Sequence, residues 1–231
     1  MADFLNTLLF GIYPYIALTV MVVGTALRYE REPFSWRSGS SQLLRRRQLI
    51  WGSVLFHIGV LIIFVGHLVG LLTPIAVFDA LGISHSAKQI LAIVAGGIAG
   101  VLALVGAAML LHRRLFDPRI RRTSTFADIA ILVLLFVQLL LGLATIPVSL
   151  GHISGEEMVR FMDWAQGIFT FRRGVADLVS DANPIFKLHL FLGLTIFLLF
   201  PFTRLVHMLS APLRYLWRPG YQVARSRRAA R

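Results

Sequence analysis

Cysteine is absent from the 231 residues of this chain. That single absence excludes disulfides, iron–sulfur ligation, thioether attachment of haem and thiol catalysis. A redox cofactor held here would use histidine, methionine or no ligating side chain at all. Charge is scarce as well: Asp, Glu, Lys and Arg make up 15% of the residues, so long solvated segments are few. No loop reaches the size of an independent catalytic domain. If the function is redox, reduction of a soluble substrate belongs to another polypeptide.

What the chain does have is apolar sequence. It is 57% hydrophobic with a mean hydropathy of +0.74, and the apolar residues gather into runs of about the ~20 residues a helix needs to cross the hydrocarbon. The expected class is an all-α membrane protein, a five-transmembrane-helix bundle in one domain, with spans near 4–27, 49–73, 89–111, 127–149 and 185–209. The first span is expected to stay as an anchor, because Met1-Ala2-Asp3 carries no basic n-region and the run exceeds a signal h-region.

Five crossings put the termini on opposite sides, and the basic residues say which is which. Arg28, Arg31, Arg37 and Arg45-Arg46-Arg47 lie in the first loop, and Arg113, Arg114, Arg119, Arg121 and Arg122 in the third. The tail adds Arg204, Arg214, Arg218, Arg225, Arg227, Arg228 and Arg231. The second loop holds only Lys88 and Asp79, and the fourth sets Arg160, Arg172 and Arg173 against Glu156, Glu157, Asp163, Asp177 and Asp181. Positive loops stay in the cytoplasm, so the N-terminus is expected in the periplasm and the C-terminus inside. The net charge of +12 is explained by this topology, and nucleic acid is not an expected partner. Anionic lipid headgroups or a cytoplasmic protein are the partners such arginines suit.

Four histidines lie inside two of these spans: His57 and His67 in the second, His189 and His207 in the fifth. Ionisable groups at membrane depth are costly and point to function. On a helix, His189 and His207 share one face with roughly 27 Å of rise, whereas His57 and His67 are roughly 15 Å apart and some 80° off alignment. The spans run antiparallel, so His57 pairs with His207 towards the inside and His67 with His189 towards the outside. One imidazole from each of two helices suits bis-histidine haem b, and two buried haems are the expectation. The two rises differ by roughly 12 Å, part of which tilt and a kink near Pro201 can absorb.

Gly66 and Gly70 flank His67, Gly59 follows His57 and Gly193 lies a turn beyond His189. A flat macrocycle needs such shaved surfaces, and ordinary helix packing uses them equally. Gly96 and Gly100 form a GxxxG pair that suits helix packing. Lys88, at the outer start of the third span, either snorkels to the interface or donates to a quinone oxygen or haem propionate. Asp128 suits a helix N-terminus, and Gln138 an interhelical hydrogen bond. His85, His112 and His152 are expected at the surface. Met158, Phe161, Met162, Ala165, Ile168 and Phe169 mark an amphipathic helix in the fourth loop.

The segments GIYPYIA, LFHIGVLIIFVGHLVGLLTP, AGGIAGVL, HRRLFDPRIR and KLHLFLGLTIFLLFPFTRLVH together resemble the gamma chain family of membrane-bound respiratory nitrate reductases. The resemblance spans nearly the whole chain. It implies a di-haem cytochrome b in the bacterial inner membrane that oxidises quinol on the periplasmic side. Electrons then pass to an iron–sulfur beta chain and a molybdenum-containing alpha chain. It further implies that His67 and His189 bind the outer haem, His57 and His207 the inner one, and that Lys88 with Gly66 forms the quinol site. The rival expectations are a cytochrome b anchor of hydrogenase or formate dehydrogenase type, a proton-coupled transporter with a histidine relay, and a purely structural anchor.

Overall fold

The computed structural model describes residues 2–36 and 44–210. Arg37 and the tail arginines from Arg214 onward lie outside the described residues. Among those residues the chain forms helices and turns, with no strand, and five helices are long and apolar enough to cross a membrane.

The first span starts as α1 (Ala2–Thr7), widens into a π turn (Leu8–Ile12) and continues as α2 (Tyr13–Arg31). The widening has a local cause. Pro14 brings no N–H to the carbonyl four residues earlier, that of Phe10. The Trp164 indole donates to that carbonyl instead, at 2.9 Å, from a helix 154 residues away in sequence.

The second span, α3 (Arg46–Leu72), ends at Thr73-Pro74, and the short α4 (Ile75–Ala80) follows. α5 (His85–Phe116) is capped by Ser84, whose hydroxyl accepts from the Ala87 amide. After α6 (Pro118–Arg122), α7 (Phe126–Leu150) opens on a capping box in which Thr125 and Asp128 satisfy one another's backbone amides. α8 (Glu156–Phe169) is the amphipathic helix of the fourth loop. It buries Met162, Ala165 and Ile168 as its period requires, together with Trp164, while Phe169 stays exposed.

α9 (Pro184–Leu199) starts at an Asn183 cap and stops at Leu199, where a span to 209 kinked near Pro201 was expected. Proline at 201 cannot donate into the helix and its ring crowds the carbonyl of Phe197. A 3-10 turn (Phe200–Phe202), the extended Thr203 and a second 3-10 run (Arg204–Ser210) take over.

The helices are laid in the order α3, α5, α7, α9, α2, each against the next. α3 and α5 approach to backbone contact: a Cβ at Gly106 would lie 2.4 Å from the Phe56 nitrogen, and one at Gly59 2.5 Å from the Ala99 carbonyl oxygen. Gly100 receives Leu143 of α7, whereas the position beside Gly96 is open, so one half of that GxxxG pair makes a helix contact. At one end of the bundle α8 and the turn Val175–Val179 close over a core of Phe10, Ala17, Ile168, Val179 and Leu194. The opposite end is basic, with Arg28, Arg113, Arg114 and Arg204 above a core of Ile131, Ile196, Phe200 and Val206.

Candidate functional site: two histidine pairs and a buried lysine

α3 and α9 do not pack along each other, yet the two histidines of α3 face His189 of α9 and His207 of the 3-10 run that follows it. The His57 and His207 rings lie 6.2 Å apart, centroid to centroid, and the His67 and His189 rings also lie 6.2 Å apart. The equality resolves the mismatch of rises. Ten residues separate His189 from Leu199, the same number that separates His57 from His67, so α9 advances roughly 15 Å before it breaks. The two equal ring separations then require that the segment from Phe200 to His207 add little advance along the bundle, which brings His207 to the level of His57.

The Nδ1 atoms show what the rings are prepared to do. His57 Nδ1 lies 2.7 Å from the Ser53 carbonyl, His67 Nδ1 2.8 Å from that of Ile63, and His207 Nδ1 2.5 Å from that of Arg204. Donation to a carbonyl places the proton on Nδ1, which leaves the Nε2 lone pair free as a metal ligand. His189 differs. Its Nδ1 is buried with no hydrogen-bond partner among the described residues, and its ring is set by α7, where Gln138 Nε2 donates to the His189 carbonyl at 3.0 Å and lies 3.4 Å from His189 Nε2, and a Cβ at Gly142 would meet the ring at 3.0 Å.

These residues could hold a bis-histidine haem: a 6.2 Å separation of ring centroids leaves room for one metal ion between two facing imidazoles. The glycines divide between their two expected uses: around Gly66 and Gly70 a Cβ would meet nothing, while Gly59 packs against α5 and Gly193 against Gln138. Only the first two present bare surface beside His67.

Lys88 does not snorkel. It is 6% exposed, and its ammonium donates to the Gly70 carbonyl at 2.9 Å, lies 2.6 Å from Met162 Sδ and sits 4.2 Å above the Phe78 ring. A carbonyl, a thioether and an aromatic face solvate the cation without neutralising it. The sequence reading missed Phe78 and Met162 as its neighbours. For Met162 the signal was present in the period of α8, and for Phe78 there was none. His85, partly exposed, lies 3.2 Å from Asp79, and the exposed His112 lies 3.2 Å from Gln48; His152 is exposed as well.

At the basic end Asp128 accepts from Arg204 at 2.7 Å and pairs with Arg114 at 3.6 Å, besides capping α7. Asp117 accepts from the Arg119 and Ile120 amides and pairs with Arg45 at 2.8 Å. The Ile120 amide bond, joined by the Arg119 amide and Arg45, holds the Asp117 carboxyl below the ordinary aspartate value.

Fold and site together define an all-α integral membrane protein that presents two histidine pairs at two depths between antiparallel helices. The chain belongs to the nitrate reductase gamma subunit family, whose model matches residues 6–227. It is 51% identical over 228 residues to the respiratory nitrate reductase 2 gamma chain of Escherichia coli K12, covering 99% of this chain and 100% of that one. With the nitrate reductase gamma chain of Bacillus subtilis 168 it shares 41% identity over 220 residues, 95% of this chain and 98% of the other. A nitrate reductase-like protein of Mycobacterium tuberculosis, NarX, matches at 35% over 97% of this chain but only 34% of its own length.

Proposed function

We propose that this chain is the membrane-anchoring di-haem cytochrome b subunit of a respiratory nitrate reductase in the bacterial inner membrane. In this reading it oxidises quinol at the periplasmic side and passes electrons through two b haems to a cytoplasmic iron–sulfur beta chain. A molybdenum-containing alpha chain then reduces nitrate. The observation that carries the reading is the pair of 6.2 Å ring separations at two depths. Membership of the gamma subunit family supports the same assignment and names the complex.

His57 and His207 would hold the inner haem and His67 and His189 the outer one. Bound there, haem b supplies reversible one-electron exchange of iron inside the bilayer. The chain's own residues do the rest. Carbonyls of Ser53, Ile63 and Arg204 fix three imidazoles in the ligating tautomer. Lys88, with no carboxylate on its ammonium among its described contacts, can donate to a quinol oxygen as that oxygen loses its proton. Gly66, bare beside His67, lets a flat ring approach. Protons leave on the periplasmic side while electrons move inward, so charge separation needs no proton channel.

A reduced-minus-oxidised spectrum with pyridine haemochrome quantification tests the assignment. About two b haems per chain, with His67→Ala and His207→Ala each losing a different one, is the expected result. Folded protein from haem-replete cells that contains no haem would overturn it and favour a histidine relay.

A further inference from the structure

We propose that Arg28 is a positioning residue for His207: with Gly24, one turn earlier on α2, it fixes the break in the fifth span and thereby sets the spacing of His207 from His57. This rests on reading the two rings as an axial pair. Arg28 touches neither ring in the contacts described, and it acts through the backbone between Phe200 and Arg204.

The geometry is specific. Arg28 Nη1 donates to two carbonyls of the break, Pro201 at 2.7 Å and Thr203 at 2.8 Å. On its other side Arg28 Nε donates to the Ser35 hydroxyl at 2.9 Å and Nη2 to the Ser35 carbonyl at 3.1 Å. A planar guanidinium is thus held in register between the 3-10 turn Pro33–Ser35 and the break, which a lysine's point charge cannot reproduce. Gly24 supplies the second fixed point. A Cβ there would lie 2.8 Å from Pro201 Cγ, so the proline ring seats against bare helix.

The consequence falls on the ligand. His207 Nδ1 is oriented by the Arg204 carbonyl, one residue after the Thr203 carbonyl that Arg28 holds. Across the segment, Asp128 fixes the Arg204 side chain from α7. Ligand distances tolerate displacements of about 0.2 Å. A break free to relax would exceed that, and His57 cannot follow because α3 is locked to α5 at Gly106 and Gly59.

The test compares wild-type complex in membranes with Arg28→Met, Arg28→Lys and Gly24→Ala, read by the low-spin ferric haem signals in electron paramagnetic resonance and by redox titration. His207→Ala and His67→Ala assign the two signals. The expected result for Arg28→Met is a shifted or broadened signal for the haem of His207, with about a tenfold or greater loss of its retention, while the haem of His67 keeps its wild-type position. Arg28→Lys shows the same change in lesser degree. Should Arg28→Met fail to assemble, Gly24→Ala decides by the same selective shift, since it displaces Pro201 while leaving the side-chain donors of Arg28 in place. Two wild-type signals in both Arg28→Met and Gly24→Ala, or equal disturbance of both haems, would overturn the positioning role. A wild-type complex without b haem would overturn the underlying haem reading instead.

Discussion

Replacing Gly106 by alanine adds one methyl group where, of the described glycines, a Cβ would approach a neighbour most closely. The new Cβ would stand 2.4 Å from the Phe56 nitrogen and 2.7 Å from the Gly52 carbonyl oxygen. Both neighbours are backbone, so no rotamer can relieve the clash. Ordinary contact begins near 3.4 Å, which obliges α3 and α5 to part by about 1 Å. Overpacking of this kind costs about 1–3 kcal/mol. The displaced backbone is that of Phe56, next to His57, and a shift of about 1 Å is several times what a metal–imidazole bond tolerates. Gly106→Ala should therefore lower the thermal midpoint in detergent by several degrees. It should also deplete the haem of His57 and His207 before that of His67 and His189. Differential scanning fluorimetry and haemochrome quantification on the same preparation measure both effects. An unchanged midpoint with both haems present would refute the claim that this helix pair is closed to a methyl group.

Lys88→Met keeps the side-chain volume and removes the donor, so quinol oxidation should fall about tenfold to a hundredfold while the haem spectrum stays the same. Steady-state assay with a quinol analogue reads this, and wild-type kcat/KM in the variant would remove Lys88 from the quinol site. Trp164→Phe strips the indole N–H from the Phe10 carbonyl, which Pro14 cannot serve, at an expected cost of about 1–3 kcal/mol. A thermal midpoint equal to wild type would contradict it. Asp117 has a folded pKa below its unfolded value, so its stabilisation is complete above the unfolded value and is lost as pH falls through the depressed folded one. Asp117→Asn should therefore flatten the loss of stability below about pH 5, and an unchanged acid limb would show that the capping carboxylate contributes nothing.

The five crossings were legible because lipid enforces them: a span needs a sustained apolar run, and such runs leave little room for another reading. Which histidine rings lie 6.2 Å apart was legible for the same reason, since antiparallel crossings dictate which residues share a depth. The uses of the glycines were not. Gly59 and Gly66 both sit beside a histidine in one helix, yet one abuts α5 and the other faces open space. Neighbour relations between helices decide that, and no local pattern encodes them. The neighbours of Lys88 were hidden likewise, because Phe78 and Met162 come from separate segments that meet only when α8 closes the bundle.

The break in the fifth span shows where local and tertiary causes join. Pro201 was visible in the sequence as a site of strain, and a kink within a continuous helix was the natural expectation. A kink alone could not have absorbed the surplus rise between His189 and His207. Ending the helix at Leu199 does absorb it, but it takes the Pro201 and Thr203 carbonyls out of regular α-helix at one end of a membrane bundle, where unpaired carbonyls are costly. Arg28 donates to both, and Gly24 makes room for the proline ring. Each of these three residues is ordinary where it stands in the sequence. Their joint placement, from helices at opposite ends of the chain, lets two histidine pairs of unequal sequence spacing reach the same ring separation.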